Sequence, residues 1–380
     1  MKPTYYSGRR ILDAGYKLGA TYYVIFGERS NGKTYFAKEL ALNGDAKAKI
    51  TSYIKDGKQS AYIRRWAEDI RGHRGRTLFD DMVRDGLIAK WTRNLWTKVV
   101  YKERSYYLAR YDENLDRDVL DSKPFMYSFS LSEMDHNKST SYPDVDKIFF
   151  DEFLTHSAYF PDEFVLFMNT VSTIVRKRQG VKIFMLGNTV SKYCPYFAEM
   201  GLTNIKSMKQ GSIEAVVCGD GPKIVVEYCA ESGNSKAITD PYFAFNNPKL
   251  KMITSGSWEI DIYPHLPFKY ERKDVVYEYY IEFDGERLHC EVISKDNKLI
   301  TFVHRKTTDI RDNGRSLVYT TEADPRPNYR RRMTHPTTRR ERKILDMYLK
   351  DKVFYQDNEV GEVVNHYIQW CEDARASGVV

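Results

Sequence analysis

The sequence predicts an α/β protein: a first domain built on a mostly parallel β-sheet with flanking helices, followed by a smaller α+β domain. Strand-like and helix-like runs alternate through the first half of the 380 residues, which is typical of parallel α/β folds. A glycine-rich loop joins an apolar run to a helical run early in the chain, and an antiparallel meander begins at Val275. We expect the first domain over 1–205, a linker region over 206–235 and the second domain over 236–380.

The first predicted strand, Thr21–Phe26, leads into the loop Gly-Glu-Arg-Ser-Asn-Gly-Lys-Thr over 27–34. This is a complete GxxxxGK[ST] phosphate-binding pattern of a P-loop NTPase, and a helix is predicted directly after it over Lys33–Leu42. The glycines let successive N–H groups face a phosphate, the lysine binds the β- and γ-phosphates, and the threonine hydroxyl binds Mg²⁺. The residues assigned to ATP and Mg²⁺ on this basis are Gly27, Asn31, Gly32, Lys33 and Thr34.

The second half of the predicted site is Lys147–Glu152, a short apolar strand that ends in two carboxylates. Asp151 can hold Mg²⁺, and Glu152 can orient or deprotonate the attacking water. A kinase needs only the first acid, so the second acid favours hydrolysis of ATP coupled to work. For an isolated pair, the alternative is a strand that simply ends in solvated acids.

A third strand, predicted over 181–187, ends in Asn188, whose amide can sense the γ-phosphate. The helix predicted over 161–179 carries Arg176, Lys177 and Arg178 at its C-terminal end. These cations either offset the helix dipole or supply an arginine finger to a neighbouring subunit, through Arg176 or Arg178. The sequence alone leaves both interpretations open.

Composition excludes several classes of protein. An apolar content of 42% supplies a normal core, and five cysteines without CxxC pairing are typical of reduced thiols in a cytosol. No apolar run approaches the length of a membrane span, and the N-terminus lacks the apolar segment of a secretion signal. The net charge of +7 is modest, but 326–343 is densely basic. That run predicts contact with a DNA or RNA backbone or, equally, a flexible connector.

Beyond residue 205, two short apolar runs over 214–218 and 224–228 indicate either a connecting unit or an extension of the sheet. The meander from Val275 has an Asp284-Gly285 hairpin turn. In its first strand, alternation predicts one core face and one wet face that carries Glu278 and Glu282. We find no convincing acid set for a two-metal nuclease. Two helices are predicted over 339–352 and 359–376.

Over about residues 20–200, the chain resembles the DNA encapsidation ATPases of phi29-like short-tailed phages. The ordered blocks that carry the resemblance, besides the phosphate-binding loop, are Tyr62–Arg65, Lys138–Ser139, Ser141–Val145, Phe150–Phe153, Asn188–Ser191 and Pro195–Phe197. The resemblance implies an ASCE-type sheet, a homo-oligomeric ring of five subunits at the portal (connector) protein of an empty prohead, and inward movement of double-stranded DNA. The site of action would be the host cytoplasm, transiently at the portal vertex. Whether a structural RNA takes part stays open.

The resemblance also implies roles for single residues. Glu152 would be the catalytic base, Asn188 the sensor, Arg176 the finger acting in trans, and Lys138 a second basic residue at the subunit interface. The C-terminal domain would be ribonuclease-H-like, a vestigial nuclease that has lost its acids and binds nucleic acid. The loop over 154–160 has no Lys or Arg to grip DNA, so Lys55 and Lys58 are the candidates that we would test.

Two other functions fit parts of the sequence. A P-loop kinase of a nucleoside or other small acceptor would transfer phosphate and ignore DNA. A nucleic-acid-binding assembly adaptor would hold its nucleotide without hydrolysing it. Transfer to an acceptor distinguishes the first, and indifference to the loss of Glu152 distinguishes the second.

Overall fold

The computed structural model describes residues 6–133, 140–155, 159–160, 162–190, 194–219, 221–230, 263–296, 298–310, 314 and 316–376. The chain forms two compact units. The first comprises Met1–His156 and Asp162–Trp258, and the second comprises Glu259–Val380 with the short stretch Ser157–Pro161. We describe each unit by itself.

The first unit contains a ten-stranded sheet with helices packed against it. Its strands are β1 (Tyr22–Gly27), β2 (Gln59–Arg64), β3 (Lys98–Lys102), β4 (Ser105–Asp112), β5 (Arg117–Leu120), β6 (Met126–Ser130), β7 (Val145–Asp151), β8 (Lys182–Asn188), β9 (Ile213–Val217) and β10 (Lys223–Tyr228). Its described α-helices are α1 (Arg9–Leu18), α2 (Lys33–Asn43), α3 (Tyr53–Asp56), α4 (Gly72–Thr77), α5 (Asp80–Arg84), α6 (Leu87–Trp91), α7 (Glu163–Val175) and α8 (Pro195–Glu199).

The strand order is β3-β4-β6-β2-β7-β8-β1-β10-β9, with β5 paired to β4. From β6 to β10 along this order every pairing is parallel. The central strands read as apolar runs because both faces of such a sheet are covered. Tyr23 of β1 stacks on Phe184 of β8 with ring centroids 4.6 Å apart, and Phe184 stacks in turn on Phe149 of β7. One strand, β8, therefore separates β1 from β7, and β2 lies on the far side of β7.

The region predicted as a linker differs from that expectation. Strand β10 pairs in parallel with β1, and β9 pairs antiparallel with β10, so both extend the sheet of the first unit. The physical reason is burial, since Ile224, Val225 and Val226 are each at most 1% exposed. The first unit accordingly continues past residue 205.

Helix α7 is shorter than the predicted 161–179. It ends at Val175 because Arg176 and Lys177 have φ of 45° and 64°, the left-handed conformation that stops a helix. The three cations predicted for its last turn therefore follow the helix. Pro161, assigned to its first turn, lies outside the described residues.

The second unit contains a six-stranded sheet in the order β15-β14-β11-β12-β13-β16. Its strands are β11 (Val275–Phe283), β12 (Glu286–Lys295), β13 (Lys298–Arg305), β14 (Leu317–Thr320), β15 (Tyr329–Arg330) and β16 (Val353–Tyr355), and its described helices are α9 (Arg339–Leu349) and α10 (Asn358–Ala376). Strands β11 to β13 are antiparallel, whereas β14, β15 and β16 each run parallel to a neighbour.

The predicted meander and its hairpin turn are confirmed. Asp284 and Gly285 have φ of 51° and 75°, as a tight two-residue hairpin turn requires. On the core face, Tyr279 and Ile281 are fully buried, and the Tyr279 hydroxyl lies 2.9 Å from that of Tyr348 on α9. The opposite face is half-buried instead of wet, since the side chain of Glu278 is only 24% exposed.

The basic run over 326–343 is part of the folded second unit. It supplies β15 and the start of α9, and its guanidinium groups have partners: Arg326 lies over the Tyr329 ring, Arg340 over Tyr277, and Arg330 near the Glu341 carboxylate. These contacts disfavour the flexible connector. Among the helices that the structure describes, none combines the length and the apolar character that crossing a bilayer would need.

Candidate nucleotide site

The loop over 27–34 joins β1 to α2 at the carboxyl edge of the sheet. Gly32, the residue before the helix, has a φ of 99°, which glycine adopts without strain. Gly27 is required for space, because a Cβ there would lie 2.8 Å from the Cβ of Cys229 at the end of β10. The two glycines of the pattern therefore let the chain turn tightly from β1 into α2.

Lys33 lies folded into this loop, with its side chain largely buried. Its Nζ donates to the carbonyl oxygen of Glu28 at 2.6 Å, to that of Gly27 at 3.3 Å and to Oδ1 of Asn31 at 3.2 Å. Burial lowers the pKa of its amine. Asn31 also accepts from the backbone N–H of Lys33, so this asparagine fixes both ends of the lysine. The cation is thereby held where the loop curves.

The side chains of Thr34, in the first turn of α2, and Asp151, at the end of β7, are in contact. The threonine Oγ1 donates to Oδ2 of Asp151 at 2.9 Å. The same carboxylate oxygen accepts from the hydroxyl of Tyr62, at the end of β2, at 2.8 Å. Burial, and then the nearby Asp151 carboxylate, raise the pKa of Tyr62 well above its ordinary value, so the phenol remains a donor. No role for Tyr62 was predicted from the sequence.

Glu152 follows β7 in the left-handed region, with a φ of 58°. This turn directs its carboxylate away from the strand, and 56% of the side chain is exposed. Arg64, the last residue of β2, donates to Oε2 of Glu152 and lies 3.9 Å from Asp151. One guanidinium therefore faces both acids of the predicted site.

Arg65, the residue after Arg64, belongs to a buried ionic cluster. Nε and Nη2 of Arg65 donate to the two carboxylate oxygens of Glu163, each at 2.9 Å, and the two side chains are 5% and 0% exposed. The same guanidinium donates to the backbone carbonyls of Glu152 and Phe153. The Tyr196 hydroxyl completes the cluster with a 2.8 Å bond to Glu163. Arg65 thus fixes the backbone that follows β7.

The two candidate finger residues have different surroundings. The guanidinium of Arg178 donates to five backbone carbonyls, those of Tyr142, Pro143, Val145, Ile174 and Val175. It caps the end of α7 and serves the structure of its own chain. Arg176 is exposed and donates to the carbonyl of Thr140 at 2.9 Å. Of the two, Arg176 presents its side chain at the surface.

A cleft of about 630 Å³ lies beside the loop that contains Lys33. Its lining includes the loop over 29–35, both acids at the end of β7, and Asn188 at the end of β8. It also includes Asp81 and Arg84 of α5 and Asp85 directly after it, in a segment where the sequence shows no phosphate-binding pattern. Asn188 pairs in register with Gly27, which places it directly beside the loop. Lys138 lies outside the described residues.

A parallel sheet with this loop, and with two acids at the end of the second strand along, defines a P-loop nucleotide-binding fold of mixed α/β class. The sequence model of the podovirus DNA encapsidation protein (Gp16) family matches residues 2–211. The chain belongs to this family.

Curated relatives match about half of the chain. The DNA packaging protein of Bacillus phage phi29 is 28% identical over 176 residues, which are 46% of this chain and 44% of that protein. The DNA packaging protein of Bacillus phage B103 is 30% identical over 181 residues, 47% of each chain. The matched part therefore spans about half the length of these relatives.

Solved structures extend the likeness of the fold. The bacteriophage phi29 viral genome packaging motor assembly matches with a TM-score of 0.56 and 18% identity, covering 96% of this chain and 98% of that one. The Phi-28 gp11 DNA packaging motor matches with a TM-score of 0.52 and 18% identity, covering 99% and 98%. At these identities the matches concern the fold, which the chain shares over nearly its whole length.

Proposed function

We propose that this protein is the ATPase of a phage genome-packaging motor, which hydrolyses ATP to move double-stranded DNA into a preformed prohead. The observation that carries the proposal is the contact of Thr34 with Asp151, in a chain of the DNA encapsidation family. Glu152 is the next residue after Asp151. The kinase interpretation has no counterpart among the matches reported above.

The residues present fit ATP with Mg²⁺. The Thr34 hydroxyl and the Asp151 carboxylate are hard oxygen donors 2.9 Å apart, the ligand type that Mg²⁺ prefers. When bound, Mg²⁺ would neutralise charge on the phosphates. The loop N–H groups over 27–34 and the Lys33 amine would bind those phosphates. To do so, the amine exchanges its bonds to loop carbonyls for bonds to phosphate oxygens.

We assign the hydrolytic step to Glu152. Its exposed carboxylate can accept a proton from a water in the cleft, and Asn188 on the neighbouring strand can orient that water. Arg176, presented at the surface after α7, would stabilise the γ-phosphoryl oxygens of the adjacent subunit. Lys138 is assigned to the same interface by resemblance alone. The proposal therefore assigns the Walker A role to the loop over 27–34, the Walker B role to Asp151 and Glu152, and the arginine-finger role to Arg176.

The second unit is proposed to be a ribonuclease-H-like domain that binds nucleic acid or the portal. The order β13-β12-β11-β14-β15, with three antiparallel strands followed by two parallel ones, supports this assignment. We also propose that the chain assembles as a homo-oligomeric ring, with five subunits by resemblance. The ring would bind the portal protein. We place the motor in the host cytoplasm, transiently at the portal vertex.

The test is ATP turnover by the purified chain with and without long double-stranded DNA, across a salt series, alongside Glu152→Gln. We expect DNA to stimulate turnover, the stimulation to fade with salt, and Glu152→Gln to abolish turnover while still binding ATP. The matched control is Glu113→Gln, on an exposed turn between β4 and β5, which should behave as the parent protein. Turnover that ignores DNA both with and without proheads would contradict the proposal.

Two further measurements separate the remaining alternatives. Transfer of labelled phosphate to a nucleoside, with no response to DNA, would establish a kinase. Full DNA-dependent assembly in Glu152→Gln would indicate an adaptor whose nucleotide is structural.

A further inference from the structure

Three potential metal ligands converge on one face of the sheet in the second unit. His289 and Glu291 alternate along β12 and therefore project from the same face. His304 of β13 is the register partner of His289. One ligand atom from each of the three residues lies within 4.8 Å of the other two. This face is opposite to the one that Tyr279 buries against α9.

Neighbouring groups orient these ligands. The Nδ1 of His304 lies 3.1 Å from the carbonyl oxygen of Arg305, and its Nε2 lies 3.4 Å from Oε2 of Glu291. If Nδ1–H donates to that carbonyl, Nε2 presents a lone pair toward the carboxylate. The Tyr270 hydroxyl donates to Glu291 and fixes its orientation. In metal sites, a ligating histidine typically donates its other ring N–H to a carbonyl, and a ligating carboxylate accepts a further hydrogen bond. His304 and Glu291 are placed for these two contacts.

The third ligand makes no such hydrogen bond. His289 Nε2 is buried, makes no hydrogen bond among the described residues, and lies 3.7 Å from Oε1 of Glu278. The His289 ring stacks on Tyr280, and the His304 ring stacks on Phe302, so aromatic rings flank the cluster. A buried imidazole nitrogen without a hydrogen bond is costly, and a bound cation would satisfy it.

We propose that His289, Glu291 and His304 bind a divalent first-row transition metal, with zinc as the best fit. Two imidazoles and one carboxylate are a common zinc ligand set, with the fourth tetrahedral position left to water. This site is independent of the nucleotide cleft and goes beyond the proposed ATPase. Because it links β12 to β13, the metal would hold these two strands together.

Arg272 is the group that competes. Its guanidinium contacts Glu278 and lies 3.5 Å from Oε1 of Glu291, so it neutralises the acids of this face. Its side chain is 72% exposed and can move into solvent. We therefore expect metal binding to displace Arg272, and removal of Arg272 to strengthen binding.

The experiment measures zinc binding by the tag-free, chelator-treated full chain with calorimetry, and cobalt binding by visible absorption. We expect one metal per chain and a tetrahedral cobalt spectrum. Tyr270→Phe removes an orienting bond and should weaken binding by about 10-fold. His304→Ala, which removes a ligand, should weaken binding further. The matched control is His366→Ala, which removes a histidine of α10 outside the cluster and should leave zinc affinity unchanged.

Arg272→Ala, at an exposed position, keeps the test decisive if His304→Ala fails to fold. It should bind zinc more tightly than the parent chain. No saturable zinc binding by the parent chain, or the same affinity in Tyr270→Phe and Arg272→Ala as in the parent, would overturn the proposal.

Discussion

Replacing Glu163 by alanine should destabilise the first unit more than any surface substitution. The carboxylate is fully buried and receives three hydrogen bonds from Arg65 and one from the Tyr196 hydroxyl. The substitution leaves a guanidinium that is 5% exposed without this partner. Removal of one member of a buried ion pair typically costs about 3–5 kcal/mol, because the other charge stays desolvated.

Two comparisons isolate this cause. Asp13→Ala breaks the pair of Asp13 with Arg9 on α1, whose side chains are 49% and 37% exposed, and should cost less than about 1 kcal/mol. The double variant Arg65→Met/Glu163→Leu removes both charges and should recover most of the loss, since apolar side chains of similar volume often replace a buried pair at little cost. Its turnover should stay low, because the bonds from Arg65 to the Glu152 and Phe153 carbonyls are absent.

The assay is urea unfolding of the full chain followed by tryptophan fluorescence. Trp66, adjacent to Arg65, and Trp91 and Trp96 all report on the first unit. A loss in Glu163→Ala as small as that in Asp13→Ala would refute the reasoning. A double variant no more stable than Glu163→Ala would show that packing, and not the unpaired charge, accounts for the loss.

Further predictions concern the nucleotide site. Tyr62→Phe removes the hydroxyl that orients Asp151, so the Mg²⁺ concentration for half-maximal turnover should rise by about 10-fold, with little change in turnover at saturating Mg²⁺. Arg64→Ala frees the Glu152 carboxylate and should raise turnover without DNA by no more than about 5-fold, since a partly solvated pair contributes at most about 1 kcal/mol; a fall would contradict this. Arg176→Ala should fold and bind ATP yet lose turnover, and mixing it with Lys33→Ala chains should restore part of the activity; no restoration would count against a finger acting in trans. Arg178→Ala should instead lower the free energy of unfolding by about 2 kcal/mol, with unchanged stability as the contrary result.

Local patterns predicted the centre of the first unit well. The loop with its flanking strand and helix, the strand ending at Asp151 and the strand ending at Asn188 are all present in the structure. They could be predicted because apolar runs and glycine punctuation are properties of neighbouring residues. The contact of Thr34 with Asp151 also follows, since the carboxyl ends of parallel strands share one edge.

Pairings between distant segments could not be predicted in this way. Arg64 and Arg65 meet acids that lie 88 and 98 residues further along the chain, and their partners depend on β2 lying beside β7. The strands β9 and β10 fall within the region 206–235 that was predicted as a linker, because short apolar runs do not specify which strand edge they join. One face of β11 was predicted to be solvent-exposed, but it is half-buried. The residues that cover it, Tyr270 and Arg272, precede the strand and have no strand pattern of their own, so the sequence did not indicate this contact.

Arg178 links the strand that carries Asp151 to the turn that carries Arg176. Its guanidinium ties the last turn of α7 to the carbonyls of Tyr142, Pro143 and Val145, the segment that leads into β7. The strand whose far end carries Asp151 is thus fastened, at its near end, to the turn that presents Arg176. If Arg176 serves the neighbouring subunit, the strand that carries each protomer's own Asp151 is linked through Arg178 to the residue that this protomer presents to its neighbour. A ring built from such chains could pass a signal from one site to the next through a single side chain.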